Sequence, residues 1–307
     1  MYYLDRLHIK VISRRNLWFT ISGIMFIIGL VAIMVRGLNF GIDFTGGTIV
    51  QRTFERPASV AQVREALTKP PLAELGLGGS SLQGGAGNTI IIRTRALSPA
   101  DEKALDAGLT QLVGPMKVDG SSTDTVGPIM GKELYSKAMA AMVIASLLML
   151  VYIAFRFEFK FGAAAVIALL HDAVITTGII ALVGQEVNTP FVAAILTILG
   201  YSINDTIVIF DRIRENLRVK RQLKSVDDVV EFSVNQTLSR SINTVLTVIF
   251  ATIALFLFAG SALREFSLTL LVGISLGCYS SIFVASPLWT LFKSWEKKKG
   301  RTAPAKA

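Results

Sequence analysis

A carboxylate inside a long apolar run is the feature that most limits the folds open to this chain. Asp205 lies within residues 189–210, a stretch long enough for a membrane-spanning helix of about 20 residues. A charge at the centre of such a helix costs about 2.5–3.5 kcal/mol on insertion scales, and intramembrane carboxylates commonly mark ion or proton paths. We therefore predict a functional role for Asp205 in preference to a packing role.

The composition extends this argument to the whole chain. Of the 307 residues, 52% are hydrophobic and only 17% are charged, which indicates a multi-pass membrane protein. Apolar blocks of spanning length predict six transmembrane helices, at residues 17–35, 136–155, 162–183, 189–210, 239–259 and 266–291. The net charge of +9 comes from basic residues beside these blocks, which indicates topology signals and contact with anionic membrane lipids, not nucleic acid.

Three simple features exclude other classes of site. The single cysteine, Cys278, excludes an internal disulfide, and the two histidines, His8 and His171, are too far apart to favour a zinc site. We expect no metal and no cofactor. The opening apolar run is longer than the roughly 7–15 residues of a signal peptide core, so we expect it to remain as the first span.

The short loops predict the orientation. Six spans put both termini on one side, and the loops after the second and fourth spans and the tail at residues 293–307 carry the basic residues. By the positive-inside rule we predict a cytoplasmic N-terminus at residues 1–16, a cytoplasmic tail, and an extracytoplasmic domain at residues 36–135.

The domain between the first two spans has the pattern of a small α+β module. Strands are predicted at residues 48–54, 80–83, 89–94 and 116–118, and helices begin after Ser59 and Ser98, each a favourable N-cap. The order βαββαβ predicts a ferredoxin-like fold. The segment from Gly41 to Gly47 lacks the Lys-Ser/Thr of a phosphate-binding loop, and we interpret it as a structural turn.

Further polar residues lie at membrane depth. His171 and Asp172 fall halfway along the third span, and Arg240 lies near the cytoplasmic end of the fifth. We predict that Arg240 faces inward and pairs with Asp205, and that a changing distance between them lets the carboxyl bind and release a proton. Residues expected to act as relay or structural support are His171, Ser202, Asn204, Thr206, Gln236 and Asn243. For His171, a relay and a neutral hydrogen-bonded role both remain open, and packing remains an alternative for Ser202 and Asn204.

Seven segments form a specific set by their order and spacing: residues 40–47, 126–131, 156–158, 171–172, 200–205, 211–216 and 236–241. Taken together, they resemble the SecF family of the bacterial Sec protein translocase. The resemblance covers nearly the whole chain and implies the six-span half of a SecD–SecF assembly related to the resistance-nodulation-division transporters. It implies a bacterial inner-membrane protein that is not an enzyme and that uses the proton motive force to promote late steps of protein export.

The resemblance also implies partners and site residues. The partners are SecD, the SecYEG channel, the translocating unfolded polypeptide and, as a further candidate, YajC. Asp205 and Arg240 match the charged positions tied to proton flow in the family. Asp172 matches another family position, and we group it with them as a proton-coupling residue.

Three alternatives compete with this interpretation. A small-molecule exporter half of the same superfamily is one, although such pumps usually carry both halves on one chain. An intramembrane aspartyl protease would need Asp172 and Asp205 about 3 Å apart, sharing a proton. A passive scaffold would leave the buried charges without a purpose.

Overall fold

The computed structural model describes residues 8–85, 87–219 and 225–301. Parts of the predicted cytoplasmic segments, residues 1–7, 220–224 and 302–307, lie outside these described residues. The helices are α1 (Arg15–Arg36), α2 (Ile42–Thr45), α3 (Val60–Leu67), α4 (Pro99–Leu112), α5 (Pro128–Arg156), α6 (Phe159–Val183), α7 (Thr189–Val219), α8 (Val226–Phe258), α9 (Ser261–Ser280) and α10 (Ser286–Arg301). The strands are β1 (Asn39–Phe40), β2 (Gly47–Phe54), β3 (Ser81–Gly84), β4 (Thr89–Thr94), β5 (Met116–Val126) and β6 (Glu186–Val187).

The chain divides into two compact units. One consists of Phe40–Ala140, and the other combines Met1–Asn39 with Ala141–Ala307. We call them the α+β unit and the membrane unit.

The α+β unit is built on a four-stranded sheet. Its strand order is β3-β4-β2-β5, and β2 pairs antiparallel with both β4 and β5. Alternate residues of β2, including Val50 and Phe54, join a core with residues of α3 and α4 such as Val63 and Leu105. The two helices therefore cover the apolar face of the sheet.

Both helix starts predicted for this unit are confirmed. Ser59 caps α3 and Ser98 caps α4, each through a capping box in which the N3 side chain bonds back to the cap residue. The predicted last strand was too short, since β5 runs on to Val126. Its later residues are polar and mostly exposed, so hydrophobic patterning could not reveal them.

The glycine pair before β2 is needed for close backbone approach. Gly46 has φ +74° and Gly47 has φ +139°, both unfavourable for other residues. A Cβ on Gly47 would lie 2.5 Å from the Thr94 carbonyl oxygen. The pair therefore serves the turn that was predicted from sequence.

In the part of the chain that the structure describes, six helices are long and apolar enough to cross a membrane, which confirms the predicted helical membrane protein. They are Arg15–Arg36, Pro128–Arg156, Phe159–Val183, Thr189–Val219, Val226–Phe258 and Leu263–Trp295. Several extend well beyond the predicted spans, notably α7 and α8 at the ends that flank residues 220–224. The last span contains a π-helical segment, Ser281–Ala285, between α9 and α10.

An aromatic cluster anchors one end of the membrane unit. Phe161 stacks on Trp289 with ring centroids 4.5 Å apart and also contacts Phe210. These three side chains are almost completely buried. They join α6, α7 and α10 in one core.

The segment before α1 is fixed to the start of α8. The Glu231 carboxylate accepts hydrogen bonds from the backbone N–H groups of Val11, Ile12 and Ser13, at 2.5, 2.9 and 3.0 Å. Val11 and Ile12 are buried beneath it. Sequence patterning did not predict this contact, because it joins residues more than 200 positions apart.

Candidate functional site

The polar residues of α7 are directed at three different neighbours. Asp205 bonds to α8, Ser202 bonds to α6, and Thr206 bonds to the π-helical segment. Successive helix positions point about 100° apart, so residues this close in sequence reach separate elements. Helix α7 therefore carries Asp205 and, through Ser202, also contacts Asp172 on α6.

Asp205 has one satisfied and one unsatisfied carboxylate oxygen. Its Oδ1 accepts a hydrogen bond of 2.5 Å from Ser241 Oγ on α8. Its Oδ2 is buried and has no hydrogen-bond partner within the described residues. Because an unpaired buried carboxylate oxygen is costly, this atom is poised to bind a proton or a water molecule.

A small cavity adjoins Asp205. Its volume is about 50 Å³, room for roughly three water molecules. Residues of α7, α8 and α9 line it: Tyr201, Ser202, Asn204, Asp205, Val208, Arg240, Thr244, Val245, Ile274, Gly277 and Cys278. Small-molecule sites usually measure about 300–1,000 Å³, so this cavity suits water and protons and not a drug-sized ligand.

Arg240 lies on the same cavity but is not bonded to Asp205. Its side chain is exposed at the rim, and in the described part of the chain it forms no ion pair within 4.0 Å. Ser241, the next residue, makes the direct contact with Asp205 instead. The Asp205–Arg240 pair therefore remains a prediction about another conformation.

Asp172 is the most completely enclosed carboxylate of the membrane unit. It is fully buried, and its Oδ2 accepts hydrogen bonds of 2.6 Å from both Ser202 Oγ and Ser280 Oγ. Its Oδ1 lies 2.9 Å from Nδ1 of His171. The site thus brings together α6, α7 and α9 around one carboxylate.

Sequence reasoning missed the hydroxyl groups on the facing helices. Ser241 and Ser280 bond the two carboxylates, and Ser281 Oγ lies 2.8 Å from Thr206 Oγ1. The run of small and polar residues 277–281 in the sixth span was the available signal. The last residue of this run, Ser281, is the first residue of the π-helical segment. Short π-helical segments are frequent at functional sites.

Of the three other predicted support residues, one lines the cavity and two do not. Asn204 is exposed and lines it, whereas Asn243 is half-buried and is not among the lining residues. Gln236 instead accepts hydrogen bonds of 2.7 Å from Arg212 and 2.9 Å from Asn216. Gln236 therefore joins α7 to α8 outside the carboxylate site.

Two of the other family segments, residues 156–158 and 211–216, contact each other. Arg156 donates to both carboxylate oxygens of Asp211, at 3.1 and 2.8 Å. The guanidinium of Arg156 also lies 5.2 Å from the centroid of the Phe157 ring. These contacts fix the end of α5 to α7.

The geometry does not support an aspartyl protease. Asp172 and Asp205 bond to different serines, so they do not form a shared-proton dyad. Within the described residues there is no cluster of three or more His, Cys, Asp and Glu side chains that could hold a metal ion.

The described residues contain six apolar helices of spanning length, with Asp172 and Asp205 among them, and the α+β unit is a second compact unit. These features define a multi-pass helical membrane protein with a polar site inside its helix bundle. A family model described as "Protein export membrane protein SecD/SecF, C-terminal" matches residues 108–295, and one described as "SecD/SecF GG Motif" matches residues 31–58. The chain belongs to the SecF family of protein translocase subunits, within SecD/SecF.

Curated relatives agree along most of the chain. The protein translocase subunit SecF of Sebaldella termitidis is 44% identical over 290 residues, covering 94% of this chain and 93% of that one. The protein translocase subunit SecF of Escherichia coli O157:H7 is 39% identical over 286 residues, covering 90% and 85%. These names denote a transport subunit and not an enzyme.

A solved structure has the same fold. The crystal structure of SecDF, a translocon-associated membrane protein from Thermus thermophilus, is 33% identical with a TM-score of 0.84. The similarity covers 96% of this chain but only 40% of that longer chain. A second structure, of SecDF in a super-membrane-facing form, gives a TM-score of 0.71.

Proposed function

We propose that this chain is a subunit of the Sec translocase that, with SecD, uses the proton motive force to promote late steps of protein export across the bacterial inner membrane. Asp205 is the proton carrier in this proposal, and Arg240 is the countercharge that approaches it in another conformation. Moving one charge through about 100 mV supplies about 2.3 kcal/mol, enough to bias a conformational cycle.

The observation that carries the proposal is the state of Asp205. One of its oxygens is bonded to Ser241, while the other is buried without a partner beside a cavity that Arg240 also lines. A carboxylate needed only for packing would have both oxygens satisfied. The arrangement instead leaves one oxygen for a proton, and Arg240 lies at the rim of the same cavity.

The remaining parts of the proposal concern orientation and partners. The order β3-β4-β2-β5 with two helices on one face supports a ferredoxin-like assignment for the α+β unit, which we place outside the cytoplasm. We place both termini in the cytoplasm, because the loops after the second and fourth spans and the tail are rich in basic residues, which the positive-inside rule assigns to that side. SecD, the SecYEG channel, YajC and the translocating polypeptide are the proposed partners.

The test is proton-coupled secretion in cells whose export is limited by the proton gradient. Asp205→Asn keeps the size of the side chain but cannot titrate, so we expect secretion to fall to the level seen when the gradient is collapsed. Asp205→Glu is the matched control and should retain part of the activity, since it still titrates. Normal secretion by Asp205→Asn at normal expression would overturn the assignment.

The role of Arg240 is tested in the same assay. Arg240→Met removes the countercharge, and we expect secretion to be impaired. If the two residues act in one pathway, the double variant should be no worse than either single variant. Additive losses would show that Arg240 acts elsewhere.

A further inference from the structure

Asp172 is held by donors from three helices and is not used by the proposed cycle at Asp205. Ser202 and Ser280 both donate to its Oδ2, and His171 Nδ1 lies at its Oδ1. An acceptor-only carboxylate suits this set of three donors, because an ionised carboxyl accepts but does not donate. The ionised form of Asp172 therefore accepts hydrogen bonds from three helices, and a proton that arrives through one of these donors neutralises it.

His171 leaves a second buried atom without a partner. Its side chain is 7% exposed, and Nε2 has no hydrogen-bond partner among the described residues. When Nδ1 carries the hydrogen that points to Asp172, Nε2 is a bare acceptor. The Asp172–His171 pair therefore has capacity for one further proton.

Ser202 lies between this pair and Asp205. Its hydroxyl donates to Asp172, and the same residue lines the cavity beside Asp205. Gly277 of α9 also lines this cavity and allows α9 to approach α7 closely, since a Cβ on Gly277 would lie 3.1 Å from the Ser202 Cβ. Ser280 bonds to the same oxygen of Asp172 but is not among the cavity-lining residues.

We infer that Asp172 with His171 forms a second, internal proton-binding site that exchanges protons with Asp205 through Ser202 and water in the cavity. This inference rests on the proposed function of Asp205. It adds that the proton passes from Asp205 to Asp172. Ser202 is the relay residue that links the two carboxylates.

The transfer balances with cavity water and the Ser202 hydroxyl as its intermediaries. The O–H bond of protonated Asp205 breaks as its proton passes to a cavity water, and that water passes a proton to Ser202 Oγ. Ser202 releases its own proton to Asp172 Oδ2 at the same time. One proton moves from Asp205 to Asp172, and no electrons are transferred.

Several titratable groups surround Asp172 and share its pH response. His171 is adjacent on α6, and its ring centroid lies 6.5 Å from that of Tyr279 on α9. Cys278 on α9, Asp205 on α7 and Arg240 on α8 line the adjoining cavity. The hydroxyl of Tyr279 lies 3.0 Å from Ser22 Oγ on α1.

The experiment follows protonation of the carboxyl groups in the purified full-length protein by infrared difference spectroscopy after a pH jump. We expect two carboxyl bands, one lost in Asp172→Asn and the other in Asp205→Asn. Ser202→Ala should slow protonation of Asp172 about tenfold or more, because it removes the relay hydroxyl. Ser280→Ala is the matched control, since it removes an equal hydrogen bond to the same oxygen, and should change the rate by less than about threefold.

The outcomes separate this inference from the proposed function. A titrating Asp205 band without an Asp172 band would overturn the second site alone, whereas absence of both would overturn the proton-carrier proposal as well. Equal rates in Ser202→Ala and Ser280→Ala would overturn the relay. If Asp172→Asn does not fold, Asp172→Glu replaces it, because glutamate moves the band instead of removing it.

Discussion

At the scale of single residues, Arg52 is the best-satisfied buried charge of the α+β unit. Its side chain is 7% exposed, and its guanidinium donates to Asp106 at 2.7 and 2.9 Å and to Glu102 at 3.0 Å. It also bonds to the Ser122 carbonyl at 2.9 Å and to Thr123 Oγ1 at 3.0 Å. One side chain thereby joins β2, α4 and β5.

Removing this guanidinium should destabilise the α+β unit. We expect Arg52→Met to cost about 2–4 kcal/mol, somewhat below the 3–5 kcal/mol typical of broken buried pairs, because both carboxylates are partly exposed to water. Arg52→Lys keeps the charge but loses the planar guanidinium, so its stability should lie between that of the wild type and that of Arg52→Met. The measurement is hydrogen exchange of β2 and β4 amides in the full-length protein. Arg64→Met on the exposed face of α3 is the control and should change protection by no more than about 0.5 kcal/mol.

The same cluster makes the α+β unit sensitive to acid. The hydrogen bond from Thr123 holds the pKa of Glu102 below its ordinary value of 4.5, despite partial burial. The hydrogen bond and the positive charge of Arg52 lower this pKa further. A lowered folded pKa contributes stability that is present above about pH 4.5 and is lost as the pH falls through the folded pKa. Exchange protection in the variant Glu102→Gln should therefore vary less with pH across this acid range than in the wild type. An unchanged pH dependence would show that other carboxylates control the response.

At the scale of helices, α1 is held against α6 by two glycines. A Cβ on Gly178 would lie 2.3 Å from the Cα of Gly29, an impossible distance between backbones that do not move. We expect Gly178→Ala to push the helices apart and to cost about 1–3 kcal/mol, the usual range for overpacking. The melting temperature of the detergent-solubilised protein should fall by several degrees.

A glycine on the same helix pair provides the control. Gly23 on α1 has nothing within 4 Å of an added Cβ, so Gly23→Ala should leave the melting temperature unchanged or slightly raised. A similar loss in both variants would mean that helix flexibility and not close packing explains the effect.

The helices could be predicted from the sequence, whereas most of the site contacts could not. Six apolar blocks of spanning length and the caps Ser59 and Ser98 are local signals, so they specify elements directly. The bond from Ser280 to Asp172 joins positions 108 residues apart, and the bond from Ser241 to Asp205 joins positions 36 apart. Which serine meets which carboxylate depends on helix packing, and a single sequence does not contain that information.

At the scale of the whole molecule, the membrane unit has an exposed polar strip beside its site. Tyr201 and Asn204 of α7 and Arg240, Thr244 and Thr247 of α8 are all exposed, although these helices are long enough to span the membrane. By contrast the exposed residues of α1 between positions 21 and 35, such as Ile24, Ile27 and Ile28, are apolar. Lipid can cover the apolar face at no cost, but polar groups at membrane depth need partners from protein or water.

This contrast predicts where SecD should bind. A photo-crosslinking amino acid at Asn204 or Thr244 should capture SecD in membranes, because a second polar helix surface would satisfy the strip and seal the cavity beside Asp205. The matched control is the same probe at Ile28, which is 53% exposed on the apolar face of α1 and should capture mainly lipid. Cells lacking SecD should show neither product, and adding SecD back should restore capture at Asn204. Capture of SecD from Ile28 with equal or greater yield would place the interface on the apolar face. The polar strip would then line a water-filled path that this chain forms without a partner.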